Sequence, residues 1–245
     1  MKWCRSFLGM LLATWLVGGC TSTGRSPVEV PLHVAGTASA PIVMGDYTLT
    51  LERADVAIGP LWLCAAQSAS VESCETALLE YTATARVDAL APAPESVGMM
   101  QGVTGTLRSA MFDYGISWLA PSPMARAASE APEGHSAVFR ARVVRASDGS
   151  SFGVAADVDV VPSMAGAIAV PGRRVDEHTL VADVDDALIV RVDAARWWSR
   201  LDLARLAARA DAGEDPVVLR RGDPDYEALL VSMSAGALPT FEWAR

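Results

Sequence analysis

Alternation of apolar and polar side chains is the dominant pattern of this chain. Tyr47, Leu49 and Leu51 alternate with Thr48, Thr50 and Glu52, and a second stretch continues through Val56, Ile58, Leu61 and Leu63. A period of two sends successive side chains to opposite faces, so each stretch predicts a strand with one face in a core. Gly59-Pro60 bends or ends the run. Val28 to Val34 predicts a first edge strand, whereas Glu72 to Thr84, richer in helix formers and carrying Leu78 and Leu79, predicts a helix. Ala137 to Val161 predicts a hairpin about a two-residue type I′ turn at Asp148-Gly149. That register sets Phe139 opposite Val158, Ala141 opposite Ala156, Val143 opposite Val154, and Arg140 opposite Asp157 on the outer face.

Farther on, Val170-Pro171-Gly172-Arg173 suits a type II turn leading into a strand from Thr179 to Asp185. Leu188 to Val192 predicts the last long strand. Asp193 then caps a helix reaching about Ala210, its packing face built from Trp197, Trp198, Leu201 and Leu206. Adjacent tryptophans on one helix point apart, so one of the two is expected to be partly exposed. Asp223-Pro224 starts a second helix with Asp as N-cap and Pro at N1, and Gly236 stops it. Phe241 and Trp243 alternate in a tail that returns as an edge strand. Between Leu119 and Gly134, Pro121, Pro123 and Pro132 mark a connection too long for a tight turn. The fold class expected is mainly β with peripheral helices: an antiparallel β-sandwich-like domain over residues 41–245 with two C-terminal helices.

The amino terminus follows a different pattern. Lys2 and Arg5 precede an apolar stretch from Phe7 to Val17, and Val17-Gly18-Gly19-Cys20 ends it with small residues and a cysteine. As a helix this stretch spans about 16 Å, short of the roughly 30 Å hydrocarbon core. Cationic start, short apolar centre and small-residue exit are the features of a removed export signal. With cysteine at the cut, the segment resembles a bacterial lipoprotein signal peptide with its lipobox. The resemblance implies removal of residues 1–19, acyl chains on Cys20, and stable anchoring in a lipid bilayer. Thr21 rather than aspartate after the anchor implies, within that family, the outer membrane of the cell envelope. Residues 20–40, with Thr21, Ser22, Thr23, Gly24, Ser26, Pro27 and Pro31, then read as a lipidated tether.

Composition narrows the partners. Loss of residues 1–19 removes Lys2 and Arg5 and no acid, so the formal charge moves from −9 to −11. Such a surface repels polyanions, which excludes nucleic acid as a natural ligand. No apolar run after Cys20 reaches the ~18 residues of a membrane span. Cys4 leaves with the signal and Cys20 carries lipid, which leaves Cys64 and Cys74 as an even pair in an oxidising compartment. A disulfide closing this short loop contributes about 2–3 kcal/mol. Without a nearby histidine the two thiols make a poor zinc motif.

No catalytic or cofactor motif stands out. Gly115-Ile116-Ser117-Trp118 begins like a nucleophile elbow, but Leu119 replaces the second glycine. Ser136 beside His135 points to the opposite face of a strand. His33, His135 and His178 are the histidines available for a metal, with His135 the foremost candidate because it ends the long loop. Asp157 and Asp159 are echoed by Asp183 and Asp185, pairs that on neighbouring strands would offer Ca²⁺ oxygen ligands. Trp62, Trp118, Trp197, Trp198 and Trp243 are candidates for a carbohydrate-stacking face. The expectation is a membrane-anchored, non-enzymatic binding or envelope-assembly module with a protein or carbohydrate ligand and no cofactor. The alternatives are an exported metal-binding protein and a hydrolase with dispersed catalytic residues.

Overall fold

The computed structural model describes residues 24–38, 40–67, 74 and 77–244. The expected signal segment and Cys20 lie outside the described residues. The strands of the first half are β1 (Pro27–Ala35), β2 (Ile42–Met44), β3 (Tyr47–Ile58), β4 (Leu61–Cys64), β5 (Ala77–Tyr81), β6 (Ala85–Asp88), β7 (Glu95–Val103) and β8 (Gly105–Phe112). Those of the second half are β9 (Ile116–Ser117), β10 (Arg126–Ala127), β11 (Ala137–Arg145), β12 (Ser151–Val158), β13 (Val170–Leu180), β14 (Ala187–Arg191), β15 (Val217–Leu219) and β16 (Thr240–Ala244). An eight-stranded sheet has the order β13-β8-β4-β5-β7-β1-β14-β16, and a second sheet runs β15-β12-β11-β3-β2 with β6 also on β3. The protein is mainly β with helices late in the chain, as its alternation predicts. The pairing is mixed, because β1 joins β14 and β12 joins β15 in parallel. Each parallel pair joins strands far apart in sequence, as parallel pairing requires.

One phase change explains β3. Leu49 and Leu51 are buried at odd positions, then Ala54, Val56 and Ile58 at even ones. The switch coincides with a bulge, where Arg140 pairs with Arg53 but Ala141 with Leu51, leaving Glu52 as the extra residue. Two apparent stretches are therefore one strand bent by a bulge. The hairpin of β11 and β12 corrects the expected register by two: Phe139 faces Ala156, Ala141 faces Val154 and Val143 faces Phe152. Its loop is longer than predicted because a type I′ turn needs positive φ at both central residues. Only Gly149 has it, at 73°. The Asp148 carboxyl is held down to about 2, first by the Ser150 hydroxyl and then by the Ser150 amide. A shift of two keeps every side chain on its face. Arg140 still reaches Asp157, diagonally, at 2.8 Å.

Other expectations fail for reasons of packing. Ala77–Tyr81 is a strand between β4 and β7, not part of a helix, because Leu78, Leu79 and Tyr81 fill the core there. Context of this kind overrides helix propensity. β1 is interior, not an edge, and occupies nine residues of the expected tether. Pro171-Gly172 is absorbed into the bulged strand β13, which ends at Leu180. The following turn holds Asp183 at φ 62°. β16 is the predicted edge strand.

The expected long helix breaks into α1 (Ala194–Trp198) and α2 (Leu203–Asp211). Asp193 caps α1 and Asp202 caps α2, each accepting from a backbone amide three residues on. α3 (Pro224–Val231) begins on Pro224 as predicted, but Asp223 accepts from Arg220 N instead of capping, and a π turn continues to Gly236. Asp225, nearly sealed from solvent, binds both the Arg205 guanidinium and the Asp202 amide, locking α3 to the start of α2.

Both tryptophans of α1, ahead of the break, enter the core. Trp197 and Trp198 are each 0% exposed, contrary to the expectation that one would surface. Trp197 meets Tyr114 at 6.1 Å and Phe139 at 6.0 Å between ring centres, Trp198 meets Phe139 at 5.7 Å, and Phe112 meets Tyr114 at 5.2 Å. All are edge-to-face, the geometry that ring quadrupoles favour. The eight-stranded sheet also coils until its edges approach, and Phe241 of β16 lies 6.2 Å from Phe112.

Trp197 Nε1 donates to Ala237 O at 2.6 Å, whereas Trp198 Nε1 has no partner among the described residues. Trp197→Phe is therefore expected to cost about 1 kcal/mol more than Trp198→Phe, since it orphans a carbonyl that the second change leaves alone. Urea unfolding at matched m-values measures this. Equal losses, or the reverse order, would contradict the assignment.

Candidate functional site

The candidate metal ligands do not converge. His135 Nδ1 donates to Asp159 Oδ1 at 2.8 Å, and Asp157 is engaged by Arg140. Both aspartates belong to the second sheet and its exit. Asp183 and Asp185 are exposed on the turn before β14, in the first sheet. The two aspartate pairs are thus not on neighbouring strands, which overturns the Ca²⁺ arrangement. His33 sits on β1 between Ser96 and Ile189. Among the described residues no three His, Cys, Asp or Glu side chains group as a metal site.

His178 belongs to the wall of the first sheet. It stands opposite the buried Leu107 on β8, so it faces inward at the seam between β13 and β16. Its Nε2 donates to Asp186 Oδ2 at 2.9 Å, and its ring stacks on Trp243 at 3.9 Å and 6°. The seam is closed by side chains: this stack at one end, and Arg173 donating to Ala235 O at 3.2 Å nearer the other. Carboxylate-held imidazoles orient metals or take protons in other settings. Here the carboxylate and indole hold the ring in the wall.

Neither serine candidate has a catalytic arrangement. Ser136 Oγ, fully buried, accepts from Val160 N at 3.0 Å. Ser117 Oγ donates to Asp113 Oδ2 at 2.6 Å. Of the five candidate stacking tryptophans, Trp197 and Trp198 are buried, whereas Trp62, Trp118 and Trp243 are half-buried, the last with one face stacked on His178. Cys64 and Cys74 are disulfide-bonded as predicted, with Cα atoms 5.6 Å apart. An open cleft of about 470 Å³ lies between the Met44–Tyr47 turn and Arg200–Ala204. It mixes Asp46 and Asp202 with Arg200 and has no convergent donor set.

The most organised feature outside the apolar core is one that no motif marks. Asp113 is 1% exposed, between Phe112 and Tyr114. Its Oδ1 accepts from Ala169 N at 2.7 Å, and its Oδ2 accepts from Ser117, so one carboxylate clips two surface loops together. Gly166 N donates to Trp118 O at 2.6 Å, and Trp118 Nε1 to Ser122 O at 2.9 Å. The long connection after Leu119 is thereby ordered, and β10 pairs back on β9. The signal was present as a lone carboxylate in the apolar run Ala110-Met111-Phe112-Asp113-Tyr114. Burial raises the Asp113 carboxyl above its ordinary value, only partly offset by the Ala169 amide and the Ser117 hydroxyl.

No family model and no curated protein matches the chain. Among solved structures, MbnP from Methylosinus trichosporium is similar at 12% identity and a TM-score of 0.38, covering 91% of this chain and 99% of that one. A likeness this distant carries neither fold nor function to the present protein.

Because the folded carboxyl of Asp113 binds its proton more tightly than the unfolded one, native stability gains as pH falls from the folded value toward the unfolded one. Asn at this position keeps an acceptor for Ala169 N and a donor for Ser117 without titrating. The stability of the parent relative to Asp113→Asn is expected to rise between pH 7 and pH 4, measured by urea unfolding. A flat or falling difference would show that burial does not govern this carboxylate.

Proposed function

We propose that the protein is an exported lipoprotein, cut before Cys20 and held to a bilayer by acyl chains there, whose β-domain works as a binding or assembly module rather than as an enzyme. The observation that carries this reading is the Cys64–Cys74 disulfide, a crosslink that belongs to exported compartments and complements the lipobox-like Val17-Gly18-Gly19-Cys20. Among the described residues no helix is long and apolar enough to cross a membrane. A binding role is supported by the engagement of Ser117, Ser136, His135 and His178 in the bonds that hold the fold. An outer-membrane address follows from Thr21 only by the lipoprotein rule.

Mass spectrometry of the protein extracted from its own envelope tests the anchor. The expected amino-terminal peptide begins at Cys20 and carries a thioether-linked diacylglycerol, and Cys20→Ser moves the protein to the soluble fraction. An intact Met1 terminus, a cut elsewhere, or membrane association unchanged by Cys20→Ser would contradict the proposal.

A further inference from the structure

Two loops, residues 117–125 and 161–169, form an apolar tip with a cationic border. Leu119 is 73% exposed, Met124 60% and Met164 64%. No charged residue occurs from Gly115 to Ala125 or from Val160 to Gly172, in a chain that is 20% charged. The charges that resume directly after these stretches are Arg126 and the pair Arg173-Arg174, all exposed. Arg126 lies opposite Ser117 in the β9–β10 pair, and Arg173 and Arg174 lie opposite Ala110 and Ser109 on β8, shortly before Asp113. Arg108, Arg140 and Arg191 each bind a carboxylate. The three at the border have no acidic partner among the described residues, and Arg173 donates only to Ala235 O. On their other side the uncharged stretches are bounded by acids already engaged, Asp113 in its clip and Asp159 with His135. The Gly166–Trp118 bond and the Ser122 hydroxyl donating to Met124 O at 2.8 Å brace the loops, which spares the entropy of ordering them on binding.

We propose that this tip docks on a lipid bilayer bearing anionic headgroups, its Leu and Met side chains entering the acyl boundary while Arg126, Arg173 and Arg174 meet the phosphates. Apolar side chains beside cations are the two contributions that drive interfacial binding, and fluid lipid moulds to them without a preformed pocket. The charge of −11 on the mature chain does not oppose this contact. Salt screens charges more than about 8 Å away, so the surface responds to the arginines that touch it. Charge alone would also suit an acidic protein, and the choice of lipid comes from reach. Ser26 and Thr104 exchange hydrogen bonds beside the start of β8, whereas Asp113 and both loops follow its far end. The eight residues of β8 separate the two ends by about 25 Å. Residues 20–26 span about 24 Å when fully extended, so a domain held at Cys20 can tip over and set the loops on the bilayer that anchors it. Tethering gives that bilayer a high effective concentration at the tip. This step rests on the anchor proposed above.

The test places a photoreactive benzoylphenylalanine at position 119 or 164 of the full-length protein, in vesicles of phosphatidylethanolamine and phosphatidylglycerol in equal parts. Position 43 is the control, because Val43 is apolar and 71% exposed but lies on β2, an edge of the second sheet. Strong lipid adducts are expected from 119 and 164 and weak ones from 43. Replacing phosphatidylglycerol by phosphatidylcholine should lower the yield at least about fivefold, the factor that one arginine near an anionic surface supplies. Arg126→Gln/Arg174→Gln, with an unchanged unfolding midpoint, should lower it as much, and the change of lipid tests the charge requirement without altering the protein. Adducts with protein alone, equal lipid adducts from position 43, yields unmoved by the loss of charge, or no adduct would overturn the proposal. The mass of the amino-terminal peptide in the same sample reports the anchor separately, so failure of docking and failure of anchoring give different results.

Discussion

The structure depends on aromatic rings that join its two sheets. Tyr114, just beyond β8, meets Trp197 from one side and is itself met by Phe112 at the end of β8, and Phe139 of the second sheet meets Trp197 and Trp198 from the other. Without α1 in that position the sheets would share a core but lack this plug at one end. Each buried tryptophan represents about 3–5 kcal/mol against truncation, a large fraction of the net stability of a domain. Both tryptophans lie on α1, ahead of the break, and the core surrounds that short helix on more than one side.

The plug also determines what the surface can do. Asp113 lies between two of its rings, so the residue that clips the exposed loops is held by the most rigid part of the core. A buried carboxylate is costly to keep, and this one is offset by two hydrogen bonds from the loops it organises. Order thus runs from the core aromatics through one acid to the loop tip. At the opposite end, His178, Asp186 and Trp243 close the seam between the edges of the coiled sheet. The candidate chemistry is consequently divided between holding the wall and shaping one end.

How much of this was legible depended on whether information was local. Alternation gave the strands β3, β11, β12, β14 and β16, and Asp193 and Pro224 gave two helix starts. Cysteine parity gave the disulfide. Where the answer depended on distant partners, local reading erred: Leu78 and Leu79 look helical until β4 and β7 flank them, and β1 looks like an edge until β14 arrives in parallel. The bulge at Glu52 was visible only as a change of phase, and the turn at Asp148-Gly149 only as a dipeptide. The pairing of His178 with Asp186 and the paired role of Asp113 with Ala169 arise from topology, so the histidines and aspartates could be counted but not placed.

The contact between Trp197 and Phe139 is a coupling across the core rather than two independent burials. A double-mutant cycle with Trp197→Leu and Phe139→Leu, followed by urea unfolding, measures that coupling directly. The expected interaction is about 1 kcal/mol, within the range for buried aromatic neighbours. Losses that add within about 0.3 kcal/mol would mean that the rings do not tie the sheets together.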